Sequence, residues 1–306
     1  MARKQNESLQ TKNEVSVVGI VKENKLEVDA SKVNGSLVVQ YGDAADQQAE
    51  VKVYIGRKKA DGEDNKNYDK AVDWANNIVS IAKATEDKPA STVRISGKGN
   101  FTPSIRLNEF FNDNTKSIVS NVELSLGFSN IYVGDIPKDQ FKAQFDMVVY
   151  LTKAPTREDK GDTEILNVEG LLVDYKGAVK PVQFVVEDDE LIDGIEECEK
   201  GSTVNFWGSC KVAQITEVKK KESGFGGKAK TEETVTTIRQ LLIEGGDPID
   251  EDDKRAIDSS FIKKALAERE IYLESLANKS EKETKTKTKG GFGGGVSSSK
   301  SSDIPF

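Results

Sequence analysis

Lys219, Lys220, Lys221, Lys228 and Lys230 surround one aromatic residue, Phe225, in a stretch otherwise made of glycine and small or polar residues, KKKESGFGGKAK. Cations beside an exposed ring suit a polyanion that carries flat bases. Ammonium groups meet its phosphates, and each base stacked on a ring contributes about 1–3 kcal/mol. Tyr54, Arg57, Lys58 and Lys59 form a smaller group of the same kind. Arg94, Lys98 and Arg106 recur along one later stretch as candidate phosphate contacts, and Trp207 with Lys211 offers a stacking platform near a cation.

Residue types argue against most other chemistry. The 306 residues contain no histidine, which removes the commonest general base, the Ser-His and Cys-His nucleophile pairs and most zinc sites. The runs Glu187-Asp188-Asp189-Glu190 and Asp250-Glu251-Asp252-Asp253 consist of adjacent residues that point in different directions. A two-metal site needs carboxylates converging from separate elements, so these runs read as solvated charge. No catalytic residue, metal site or cofactor is expected, and a magnesium-dependent nuclease is the least favoured reading. Cys198 and Cys210 fit no metal-ligand spacing and are expected to be free thiols in a reducing compartment. Nothing approaches the roughly 18 continuous apolar residues of a membrane span, so a cytoplasmic protein is expected. The net charge of -8 speaks mildly against a general polyanion binder, but the signs are segregated. Lysine and arginine gather at 57–59 and 218–230, and a local basic surface is still an electrostatic site.

Elements that could position these groups follow one order twice. Between 14 and 136, EVSVVGIVKENKLEV, GSLVVQYG and AEVKVYIGRKK read as strands from their β-branched content and bounding turn residues. A helix follows, with Ala71, Trp74, Ala75 and Ile78 at helical spacing, and two more strand segments close the passage. Between 137 and 246, the strands FKAQFDMVVYLTK, EILNVEGLLVDY and AVKPVQFVVE precede a short helix, DELIDGIEECEKG, and two further strands. A doubled β-β-β-α-β-β order predicts a mainly β protein of two tandem five-stranded OB-fold barrels. After each helix comes a shared signature, STVRISG at 91–97 and STVNFWG at 202–208. Alternation sends Val93 and Ile95, or Val204 and Phe206, inward. Arg94 and Ser96, or Asn205 and Trp207, face outward, and the glycine marks a bend or a close backbone approach. Residues 1–13 read as an N-terminal arm and 247–278 as an acidic helical segment whose apolar stripe docks on a barrel or a second subunit. Residues 279–306 read as a disordered Gly/Ser-rich tail.

The repeat, the segment KGSTVNFWG at 200–208 and the ending Asp303-Ile304-Pro305-Phe306 together resemble the bacterial and phage single-stranded DNA-binding proteins. Those proteins have an OB-fold, a glycine-rich linker and an acidic tip ending in Asp-Ile-Pro-Phe or a close variant. The resemblance implies a non-enzymatic protein that coats single-stranded DNA, or RNA, in replication, recombination and repair. It also implies that Asp303, Ile304, Pro305 and Phe306 recruit partner enzymes, their apolar side chains filling a pocket and their carboxylates meeting a basic rim. The tail gives the tip a reach of roughly 30 Å. Two departures are plain: Ser301 and Ser302 stand where such tips usually carry further acids, and two barrels in one chain point to a divergent, phage-type member. A monomer or a homo-oligomer is compatible with this arrangement. Two barrels would cover roughly 8–32 nucleotides. The alternative is an adaptor whose OB-folds contact other proteins.

Overall fold

The computed structural model describes residues 10–97, 102–112, 114–160, 163–221 and 230–288, with side chains described for all but 160, 212–238 and 279–288. The chain is mainly β, and the described residues form fourteen strands in one hydrogen-bonded network and three α-helices. The first half holds β1 (Asn13–Asn24), the two-residue β2 (Glu27–Val28), β3 (Lys32–Gln40), β4 (Gln48–Gly56) and helix α1 (Asn67–Asn77). It continues with β5 (Thr92–Ser96), β6 (Ser104–Asn112), β7 (Ser117–Ser125) and β8 (Asn130–Val133). The second half holds β9 (Lys142–Leu151), β10 (Thr156–Lys160), β11 (Thr163–Val173), β12 (Val179–Val186), helix α2 (Asp189–Glu196), β13 (Thr203–Lys221) and β14 (Lys230–Ile249). Helix α3 (Ser259–Thr288) follows.

In the second half the pairings run β9 to β11, β11 to β12, β12 to β14, β14 to β13 and β13 back to β9. This is a closed five-stranded barrel with a helix between its third and fourth strands, consistent with the OB-fold. All contacts in the ring are antiparallel except β12 with β14. In the first half β1 pairs β3 and β5, β3 pairs β4, and β4 runs parallel to β7. Its last two strands are each split, so that β5 pairs β8 and β6 pairs β7 in a separate hairpin.

Alternation decides which side chains enter the core. Val51 and Val53 of β4, Val93 and Ile95 of β5, and Val204 and Phe206 of β13 are all at most 2% exposed. Phe145, Phe184 and Phe206 pack with ring centroids 5.5 and 5.8 Å apart, and burying each ring stabilises the fold by about 1.5–3 kcal/mol. One apolar cluster runs through both halves. Side chains cap two of the helix ends. The Asn24 amide donates to the carbonyls of Trp74, Ala75 and Ile78 at the C-terminus of α1. At the N-terminus of α2, the Asp188 carboxylate accepts from the backbone N–H groups of Glu190 and Leu191.

The halves meet through β1 and β9, which pair antiparallel from Asn13 opposite Met147 to Val18 opposite Lys142. Within the halves, Val18 pairs Arg94, and Val148 pairs Asn205. Arg94 and Asn205 hold the same place in the repeated signature, so Val18 and Val148 are equivalent. Stepping back along both strands makes Val15 the equivalent of Phe145, and these two residues face each other across the seam. Equivalent strands that cross at equivalent residues define a local two-fold axis.

Helix α3 seats Phe261, Ile262 and Ala265, with Ile257 just ahead of it, against Tyr150, Leu171, Val173 and Val179. Further along, Arg269 makes a two-pronged ion pair with Glu109 on the first half's hairpin. The docking surface expected for the apolar stripe is therefore in the same chain, although Ile271 and Tyr272 beyond it are exposed. The run Asp250-Glu251-Asp252-Asp253 precedes the helix in a turn.

Candidate nucleic-acid interface

Between the inward residues Val53 and Ile55, the strand period turns Tyr54 outward, where it is 71% exposed. The ammonium group of Lys32, on neighbouring β3, lies 5.8 Å from the Tyr54 ring centroid. Just past β4, the Arg57 guanidinium sits 5.9 Å from the Tyr68 ring, whose hydroxyl donates to the Asp29 carbonyl. Cations over rings at these distances attract the ring faces and hold both groups at the surface. Lys58 and Lys59 are engaged with Asp64 and Glu63, each at 2.8 Å. The hydrogen bond from Lys58 holds the Asp64 carboxyl below its ordinary range. Both pairs are exposed, and such pairs exchange readily for another anion.

A second group lies along the paired fourth and fifth strands of the same half. Arg94 stands directly opposite Tyr132, which is 60% exposed. The Arg94 guanidinium donates to Gln140 Oε1 at 2.6 Å. With Asp135, Ile136 and Pro137 these residues line an open depression of about 310 Å³. Farther along, Arg106 pairs across the hairpin with Glu123. Its Nη2 lies 3.4 Å from where a Cβ on Gly127 would stand, beside the turn that presents Phe128 at 72% exposure. Sequence reasoning found Arg94 and Arg106 but missed Tyr132 and Phe128. The signal for Tyr132 is the alternation in NIYV, where buried Ile131 turns its neighbour outward. Phe128 follows Gly127, whose φ of +59° marks the tight turn. Lys98 lies outside the described residues.

In the second half Trp207 is 38% exposed. One side of its indole rests on Gly245, where a Cβ would come within 2.5 Å of Nε1. Trp207 shares a cavity of about 270 Å³ with Val15, Ser96, Gln144, Phe145, Asp146 and Glu244, among others, at the local two-fold axis. Lys211 is largely covered and lies 3.5 Å from Glu187. Lys219, Lys220 and Lys221 end β13, and Lys230 begins β14, so these lysines stand in a long two-stranded arm. Register places Lys219 opposite Glu232, Lys220 opposite Thr231 and Lys221 opposite Lys230. Phe225, Lys228 and the tip residues Asp303, Ile304, Pro305 and Phe306 lie outside the described residues. The structure thus brings together Tyr54, Arg57, Lys58 and Lys59 at one strand end, and Arg94 and Arg106 along one strand course. Trp207, Lys211 and the lysine arm belong to the other half.

Between the halves, Glu50 is held by Lys52 and Arg239. Burial opposes its ionisation, but hydrogen bonds from Lys52, Ser36 and Arg239 outweigh that cost and bring its carboxyl down to about 2. Both cysteines are free. Burial, reinforced by Glu244, pushes the Cys210 thiol up to about 12, which leaves it protonated and unreactive. Among the described residues, no group of three or more His, Cys, Asp or Glu side chains is placed to hold a metal ion, and no helix is long and apolar enough to cross a membrane.

No curated protein matches the sequence. Among solved structures, the wild-type single-stranded DNA binding protein from Thermus aquaticus is similar with a TM-score of 0.47 and 11% identity, over 79% of this chain and 94% of that one. A deletion mutant of the same Thermus aquaticus protein gives 0.47 and 12%, over 80% and 97%. The YorF family profile matches residues 12–295. A match over that much of the sequence makes this chain a member of the YorF family.

Proposed function

We propose that the chain is a sequence-tolerant, non-enzymatic single-stranded DNA-binding protein built on two tandem OB-fold barrels. One observation carries this reading: exposed rings stand beside cations on outer strand faces, Tyr54 with Lys32 and Tyr132 with Arg94. Rings supply stacking surfaces that every base can use, and the cations meet phosphates, so neither group reads sequence. The inward alternate residues of the same strands fill the core, which fixes the outward groups at the spacing of the pleat. Single-stranded RNA is the alternative ligand of the same site, since stacking on rings and phosphate contacts are open to either sugar. In this reading Asp303, Ile304, Pro305 and Phe306 recruit replication, recombination or repair enzymes to the coated strand in the cytoplasm, while the barrels stay bound.

Titration of the full chain with oligo-dT, followed by tryptophan and tyrosine fluorescence at low salt, tests the reading. Quenching with submicromolar affinity and little base preference is expected. The logarithm of the affinity should fall with the logarithm of salt concentration, at a slope of about 0.7 per phosphate neutralised. Absence of binding below micromolar protein would leave the adaptor reading in its place.

A further inference from the structure

The registers allow the halves to be compared residue by residue. Arg94 corresponds to Asn205 in the repeated signature, and their partners across the next strand are Tyr132 and Asp247. Val39 pairs Val21, and Gly170 pairs Leu151, which are equivalent positions of β1 and β9. The partners of Val39 and Gly170 on the third strands are Ala49 and Val182. Five residues further along stand Tyr54 near the end of β4 and Glu187 just past the end of β12. The positions of Tyr54, Arg94 and Tyr132 in the first half are therefore Glu187, Asn205 and Asp247 in the second. After Tyr54 come Arg57, Lys58 and Lys59, whereas after Glu187 come Asp188, Asp189 and Glu190.

The acids of the second half have a structural task. Asp188 caps α2, and acidic groups in its first turn oppose the positive end of the helix. Nearby, the single Arg157 serves Glu164, Asp193 and Glu196. Helix α1 has no side-chain cap at its start, so the strand end preceding it is free to carry cations. The first half does contain acids beside its cations, Asp135 near Arg94 and Glu123 opposite Arg106, yet its exposed rings have no counterparts at Glu187 and Asp247.

We infer that the two halves divide the work: the nucleic acid strand lies on the outer strand faces of the first half, and the β12–α2 face of the second half stays off its path. This rests on the proposed single-strand binding. The barrel of the second half supports α3 and the seam.

The test uses the full chain and oligo-dT of graded length. The double variant Arg94→Ala/Tyr132→Ala should weaken binding about ten-fold or more, as expected for loss of a stacked base and a phosphate contact. The matched double variant Asn205→Ala/Asp247→Ala should stay within about two-fold of the unaltered chain. All four side chains lie on the outer faces of their strands, and melting curves of both variants check that the fold is kept. Photocrosslinking of thio-substituted oligo-dT to the unaltered chain gives a second readout. Crosslinks at Tyr54, Phe128 or Tyr132 with none in 179–196 support the division. Equal weakening by the two double variants, or crosslinks at 179–196, would overturn it while leaving single-strand binding in place. An unaltered chain that does not bind would remove both readings.

Discussion

Gly208 ends the second signature, and a Cβ there would stand 1.9 Å from the Leu242 carbonyl oxygen. The register of β13 with β14 shifts at this point, so the glycine permits the strands to approach where the ladder slips. Gly208→Ala should destabilise the chain by about 1–3 kcal/mol or more in chemical denaturation, since backbone atoms must move to make room. Gly245→Ala instead meets the indole of Trp207, a partly exposed side chain rather than backbone. It should change the tryptophan emission maximum with a smaller loss of stability. The Gly208 constraint was legible in the sequence as a glycine closing an alternating apolar run. The role of Gly245 was not, because it depends on which residue the opposite strand brings beside it. Glu109 shows the same limit. In the sequence it is one acid in a polar stretch, but in the structure its side chain is 2% exposed and held by Arg269 and Ser120. Burial opposes its ionisation, yet the hydrogen bonds from Arg269 and Ser120 outweigh that and lower its pKa. A carboxylate with a depressed folded-state pKa adds stability that is full above its unfolded pKa of about 4.3 and fades as pH falls through the folded value. Arg269→Ala should cost about 3 kcal/mol near neutral pH, because it leaves a buried carboxylate without its partner. The difference between variant and parent should shrink in acid, which urea unfolding at a series of pH values would measure.

Among the elements, strands with one buried face were readable because alternation is a direct record of burial. The short strand β10 escaped notice, since five polar residues at an edge carry no such record, and β2 was read as one strand with β1 because no turn signal in KENK separates them. The end of α1 was legible only in part: apolar spacing continues through Ile78 and Val79, but the chain turns extended at Ile78 and Asn24 caps the carbonyls from a distant strand. The docking of α3 was implied by its stripe, while the surface that receives it required three dimensions. Removing residues 257–288 should uncover Tyr150, Leu171, Val173 and Val179. A lower melting temperature and increased binding of an apolar dye are the expected results.

For the whole molecule, internal repetition revealed two copies of one strand order but could not reveal that they share a core. The continuous apolar cluster and the β1–β9 seam predict one cooperative unfolding transition for the ordered chain, with calorimetric and van't Hoff enthalpies in agreement. Two resolved transitions in calorimetry would mean that the seam contributes little. The seam has a further consequence for recognition. Under the proposed single-strand binding the outer strand faces of the two halves act as cradles, and because a two-fold axis relates them they meet a nucleotide chain, which has chemical direction 5′ to 3′, in opposite senses. A short straight oligomer that suits one cradle runs backwards through the other, so strict symmetry between them would give little advantage on a single uninterrupted strand.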